Sequence, residues 1–199
     1  MKSLLIATTN PSKFTETSAI LKETGLTILG LKDFPEAKLV PETGDTFLEN
    51  AFLKAKGYFL QTGVPCVADD GGLMIDYLDG APGVHSHRWL GHEATDQELA
   101  ETVLKKLKGV PVEKRTARLG GVVIFYDGEH ILKEENYAEG YIAEHLMSEI
   151  KPGFPYRPIF IVARFNKPFS ELTDEEDREV GARQKIFRVL KPKILELLK

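Results

Sequence analysis

Residues 3 to 13, SLLIATTNPSK, set the class of the fold. Ser3 to Thr8 is a compact apolar run, most simply a buried strand. Asn10 followed by Pro11 marks a helix start, because Asn can cap free N–H groups and Pro suits the first helical position. Phe14, Thr17, Ala19 and Leu21 continue as a helical stripe that ends at Gly25, and Leu26 to Leu31 reads as a second strand. Strand, loop, helix and strand in that order predict an α/β architecture, with Thr8 to Lys13 on the loop.

Further along, Thr46 and Glu49 have capping-box spacing ahead of an apolar face of Phe47, Ala51, Ala55 and Phe59. Asn50 and Lys54 lie four residues apart and share one face of that helix. Pro65 introduces CVADDGG (66–72), read as a short strand ending in Asp69 and Asp70 before two glycines. Thr95 and Glu98 cap a third helix running to Lys108. Asp127-Gly128 between two apolar runs predicts a hairpin. Thr173 and Glu176 open a last helix, expected to run toward Leu190 until Pro192 interrupts it. No repeat, low-complexity tract or linker divides the chain.

The 199 residues are 42% hydrophobic and 28% charged, an ordinary globular composition. A net charge of −4 gives no general basic field for nucleic acid, and no apolar run is long enough to span a bilayer. The single cysteine, Cys66, excludes an intramolecular disulfide and a thiolate-rich zinc site, and points to the cytoplasm. The expected partner is a small molecule, with no nucleic acid and no membrane.

Several phosphate signatures are missing: there is no GxxxxGK[ST] loop and no GxGxxG after the first strand. What remains is Thr8-Thr9-Asn10-Pro11-Ser12-Lys13 at a strand-to-helix junction. Its hydroxyls, amide, lysine and helix N–H groups suit an anion such as phosphate, although a capped helix start with a surface lysine has the same residues. Asp69 and Asp70 would repel each other unless a divalent cation relieves them, and the glycines after them allow close backbone approach. An acidic turn accounts for this segment equally well. Glu42, in a polar loop, is a candidate further oxygen ligand. His85, His87 and His92 could be mistaken for a transition-metal site, with His85 and His87 sharing a face if they lie on a strand. Phe154, Tyr156 and Phe160 either stack on a base or simply pack.

Taken in order, these segments resemble the inosine triphosphate pyrophosphatase family, also called the Ham1 family. Its T-x-N-x-x-K loop is seen as ATTNPSKFTE, its second block as ETGDTFLENAFLKA (42–55), and its third as ADDGGLMIDYLDGAPGVHSHR (68–88). GFPYRPIF (153–160) and SELTDEED (170–177) stand where the family has GFGYDPIF and AELT-x-EEK. The resemblance implies a two-lobed α/β domain over residues 1–199, with a mixed twisted sheet flanked by helices and a nucleotide cleft between the lobes. It also implies a homodimeric, magnesium-dependent hydrolase that converts ITP, dITP or XTP to monophosphate and pyrophosphate. Carried over by position, Thr8, Thr9, Asn10, Ser12 and Lys13 would hold the triphosphate. Glu42 and Asp70 would coordinate magnesium, and Lys54 would support the phosphates. Asp70, helped by Asp69, would activate the water. Gly71, Phe154, Tyr156, Arg157 and Arg183 would complete the substrate site.

The departures cluster. Gly71 replaces a serine, Pro155 a glycine and Arg157 an aspartate; Asp177 replaces a lysine, Gly181 a serine and Ala182 a histidine, while Arg183 remains. The exchange of signs at Arg157 and Asp177 suggests either a swapped ion pair or two independent changes. The metal and phosphate half is kept and the base-recognition half is rewritten. The alternatives are therefore the same chemistry on a different nucleotide, or a nucleotide-binding protein with little catalysis.

Overall fold

The protein is described from a computed structural model covering residues 2–92 and 94–199, with His87 and Arg88 described by backbone alone. It is a mixed α/β fold built on one seven-stranded sheet. The strands are β1 (Ser3–Ile6), β2 (Thr27–Gly30), β3 (Cys66–Ile75), β4 (Thr116–Tyr126), β5 (Ile131–Ile142), β6 (Phe160–Val162) and β7 (Lys167–Pro168). The helices are α1 (Pro11–Leu21), α2 (Phe47–Thr62), α3 (Asp96–Lys106), α4 (Asp174–Val180) and α5 (Ala182–Leu197). The strand order is β2-β1-β3-β4-β5-β6-β7. β1 pairs in parallel with both β2 and β3, the arrangement that crossovers through α1 and α2 produce. β5, β6 and β7 pair antiparallel.

The chain forms two compact units, residues 1–70, 121–136 and 183–199 in the first and residues 71–120 and 137–182 in the second. The first has a core of Leu4, Ile6, Val67, Val123 and Phe125 from the sheet, closed by Ile186, Phe187, Leu190 and Ile194 of α5. Those α5 positions recur at helical spacing, which fixes the buried face. The second is centred on Leu73, Ile75, Leu99, Val103, Leu107 and Phe160. There Arg115 is only 3% exposed. Its Nε, Nη1 and Nη2 donate to the carbonyls of Val110, Ala143 and Leu107, each at 2.8 Å. A cation beside carbonyls just past the end of α3 also complements the helix dipole. Among the described residues, no helix is long and apolar enough to cross a membrane.

Local signals explain most boundaries. Thr46, Thr95 and Thr173 each accept from the N–H of a glutamate three residues on, closing capping boxes that start α2, α3 and α4. Three expectations need correction. The aspartates do not end their strand, because β3 runs ten residues straight through Asp69 to Gly72. Pro192 does not interrupt the last helix but lies inside α5. The break comes earlier, at extended Gly181, and α5 survives its lost hydrogen bond because its apolar face packs on both sides of the proline. His85 and the backbone of His87 lie on a 3₁₀ turn over Gly83–Arg88, not on a strand. The side chain of His87 lies outside the described residues.

Candidate active site

Asn10 caps α1, its Oδ1 accepting from the N–H groups of Ser12 (2.9 Å) and Lys13 (3.1 Å). The Asn10 N–H in turn donates to Thr8 Oγ1 at 3.2 Å, and Phe14 N–H to the Asn10 carbonyl at 3.0 Å. The N–H groups of Asn10, Ser12 and Lys13 are thus taken up within the loop itself. An anion arriving here would meet the hydroxyls of Thr8, Thr9 and Ser12 and the Lys13 ammonium, not the N–H groups expected from the sequence.

A second group gathers around Lys54 of α2. Its Nζ lies 3.0 Å from Glu42 Oε2 and 3.7 Å from Asp70 Oδ1. Burial alone would lower the affinity of this ammonium for its proton. Asp70, Asp69 and Glu42 more than reverse that and hold its pKa above the ordinary lysine value. Asp70 is pushed the other way from a typical surface carboxylate. Burial raises its pKa and Glu42 adds to the rise, against the pull of Lys54, Lys13 and a hydrogen bond from Asn50. Asn50, one turn before Lys54 and 1% exposed, also accepts from Gly44 N–H at 2.8 Å. A Cβ at Gly44 would lie 2.5 Å from Glu49 Cβ, so glycine is what lets the Glu42 loop close onto α2. Sequence reasoning placed Asn50 beside Lys54 but not in the site; an amide on a helix's buried face was the signal for it.

Asp69 belongs to a third group. Its Oδ2 accepts from Arg183 Nη2 at 2.8 Å and lies 3.0 Å from Lys13 Nζ. Arg183 Nη1 lies 2.5 Å from Glu16 Oε2. Burial would raise the Asp69 pKa, but Lys13, Arg183 and Lys54 overwhelm it and hold the carboxyl well below the usual carboxylate range. Successive residues of a strand point to opposite faces. Extended β3 therefore separates two adjacent carboxylates that a turn would have left side by side. Glu16 was not foreseen; its place three residues after Lys13 on α1 was the available clue.

In the second unit, Gly71 lies on β3. The Arg157 guanidinium stacks on Phe154, 3.6 Å from the ring centroid, and lies 5.0 Å from Phe169. Tyr156 is 4% exposed and belongs to the core. The Asp177 carboxylate folds over Gly181, where a Cβ would lie 2.2 Å from Oδ1 and 2.6 Å from the Asp177 carbonyl oxygen.

Among the described residues, no group of three or more His, Cys, Asp and Glu is arranged to hold a metal ion. Glu42 and Asp70 offer hard carboxylate oxygens on either side of an ammonium. That donor set fits magnesium, which takes one or two carboxylates and fills its remaining positions with water and substrate phosphate.

Comparison with known proteins matches residues 4–193 to the Ham1 family. The chain is similar to the dITP/XTP pyrophosphatase of Bacillus subtilis strain 168, 40% identical over 197 residues covering 98% of each chain. It is 39% identical to that of Geobacillus kaustophilus strain HTA426 over 191 residues, 96% of this chain and 93% of the other. Among solved structures, a HAM1 protein from Coxiella burnetii superposes with a TM-score of 0.83 at 32% identity, covering 99% of this chain and all of the other.

Proposed function

The chain belongs to the Ham1 family, and from that premise we propose that it hydrolyses non-standard purine nucleoside triphosphates (dITP, ITP and XTP) to monophosphate and pyrophosphate. The observation that carries the reading is Lys54 held between Glu42 and Asp70, at 3.0 and 3.7 Å. Two carboxylates facing one buried cation form a site for a polyanion and its counter-ion. Phosphoryl transfer needs such positioning and charge neutralisation more than it needs covalent chemistry.

Magnesium would be held by Glu42 and Asp70, and when bound it supplies charge neutralisation and polarisation of the phosphate oxygens. Lys13 and the hydroxyls of Thr8, Thr9 and Ser12 bind the phosphate chain at the start of α1. Asp70 takes the proton of the attacking water, its proton affinity raised by burial and by Glu42. Lys54 keeps Asp70 and Glu42 close while the site is without phosphate. Asn50 fixes the Asp70 carboxylate and ties it to the Gly44 turn.

A second reading concerns the base. Arg157 covers one face of Phe154, and Asp177 fills the space over Gly181; both favour a base preference different from that of the named relatives. A cytoplasmic homodimer completes the proposal, supported by the family resemblance and by a lone buried thiol, which suits a reducing compartment.

The test is pyrophosphate release from ITP, XTP, dITP, dUTP and the four standard triphosphates, with magnesium, with EDTA, and with Asp70→Asn. Turnover of ITP or XTP that both controls abolish is the expected result. Turnover of another nucleotide alone would move the assignment to the second reading. Silence across the panel from folded protein would reject hydrolysis.

A further inference from the structure

Four charged side chains in the first unit close into a ring through α1, and of these the reaction as described uses Lys13 alone. Lys13 and Glu16 leave α1 three residues apart, on the same helix face. Lys13 Nζ lies 3.0 Å from Asp69 Oδ2, and the same oxygen accepts from Arg183 Nη2 at 2.8 Å. Arg183 Nη1 returns to Glu16 Oε2 at 2.5 Å. All four are largely withdrawn from water, with side-chain exposures of 20% for Lys13, 15% for Asp69, 16% for Arg183 and 31% for Glu16. Two acids and two bases cancel in charge, so what the ring contributes is geometry.

We propose that Glu16 is a positioning residue: by engaging one arm of Arg183 it keeps that guanidinium from chelating Asp69, and so leaves Asp69 Oδ2 to aim the Lys13 ammonium at the phosphate chain. The planar guanidinium presents its donors as a fixed fork and readily takes a carboxylate with both arms. Without Glu16, both Nη groups turn onto the two oxygens of Asp69, and Lys13, a point charge on a flexible stem, loses its anchor. Arg183 then acts through Asp69 and Lys13, with both terminal nitrogens committed to carboxylates. Asp69 likewise holds the lysine and leaves proton transfer to Asp70. The inference rests on the hydrolase reading for its kinetic test, though not for its structural one.

The test is a double-mutant cycle on ITP hydrolysis together with crystal structures of the wild type and the Glu16 variant. Glu16→Gln is expected to raise KM roughly tenfold, the worth of one charge-assisted hydrogen bond, with kcat changed by less than about threefold. Glu16→Asp is expected to restore most of the loss. In an Arg183→Lys background Glu16→Gln is expected to lose its effect on KM, because a lysine there cannot take Asp69 with two arms, and this double variant is the second test if Glu16→Gln alone folds poorly. In a Lys13→Met background the Glu16 substitution should have no further effect, because the group it positions is gone. In the crystal of Glu16→Gln, Arg183 is expected on both oxygens of Asp69, with Lys13 Nζ more than about 4 Å away. Fully additive losses in the cycle, or a Lys13–Asp69 pair still at about 3 Å in that crystal, would overturn the proposal. If the wild type hydrolyses no triphosphate, the hydrolase reading fails separately, and the two crystal structures still decide the role of Glu16.

Discussion

Asp69 and Asp70 are neighbours in the chain but answer to different cations: Asp69 to Lys13 and Arg183 at 3.0 and 2.8 Å, Asp70 to Lys54 at 3.7 Å. The alternation of β3 turns one acidic dipeptide into two separate devices, one saturated with partners and one with a raised proton affinity. Their substitutions should therefore differ in kind. Asp70→Asn is expected to lower kcat by about a thousandfold, in the range for loss of a general base, while the melting temperature holds. Asp69→Asn is expected to lower the melting temperature, since it leaves Lys13 and Arg183 short of a buried partner. Steady-state kinetics beside calorimetry on both variants checks the contrast.

Removing Lys54 should shift the pH profile as well as the rate. Its charge pulls the Asp70 pKa down against burial and Glu42. In Lys54→Met the Asp70 carboxyl rises further, so the acid limb of the activity profile moves to higher pH, with activity at pH 7 down by about a hundredfold or more. A variant whose acid limb stays put would separate Lys54 from Asp70.

Asp69 also makes folding stability depend on pH, with a definite sign. Its pKa is lowered by folding, so the unfolded chain binds its proton first. The stabilisation is complete above the unfolded carboxylate value of about 4 and is lost as pH falls below it. Urea midpoints measured from pH 7 to pH 3 should drop more steeply for the wild type than for Asp69→Asn.

In the second unit, Arg115 joins three carbonyls that no shorter side chain reaches together. Arg115→Met should cost about 3 kcal/mol or more by leaving buried acceptors unpaired, which corresponds to a melting temperature lower by roughly 6–12 °C for a chain of this size. Thermal unfolding measures it directly.

Gly181 and Asp177 should prove coupled. Gly181→Ser puts a Cβ within 2.2 Å of the Asp177 carboxylate and is expected to destabilise; the same change beside Asp177→Lys should cost less, by about 1 kcal/mol. A cycle of four melting curves tests this.

The start of the fold was legible because each signal acted locally: Asn10-Pro11, the threonine–glutamate capping boxes and Asp127-Gly128 specify backbone within a few residues. Lys54, Glu42 and Asp70 were found through the family motifs, and the fold brings the three side chains together, at 3.0 and 3.7 Å from the lysine. What the sequence hid depends on distant partners. The strand was expected to end at Asp69 and Asp70 because charge repulsion was visible and the cations that relieve it were not, being 56 residues upstream at Lys13 and 114 downstream at Arg183. Likewise Pro192 read as a helix stop because the packing that carries α5 past it lies elsewhere in the chain.

The capped start of α1 bears on how often the enzyme can be reused. A loop that waits for phosphate to satisfy its amides collapses each time product departs and must be rebuilt for the next substrate. Here the Asn10 amide already fills that place, so the first turn of the helix keeps its shape through loading and release. With the phosphate chain placed at this loop as proposed, turnover carries no ordering step there.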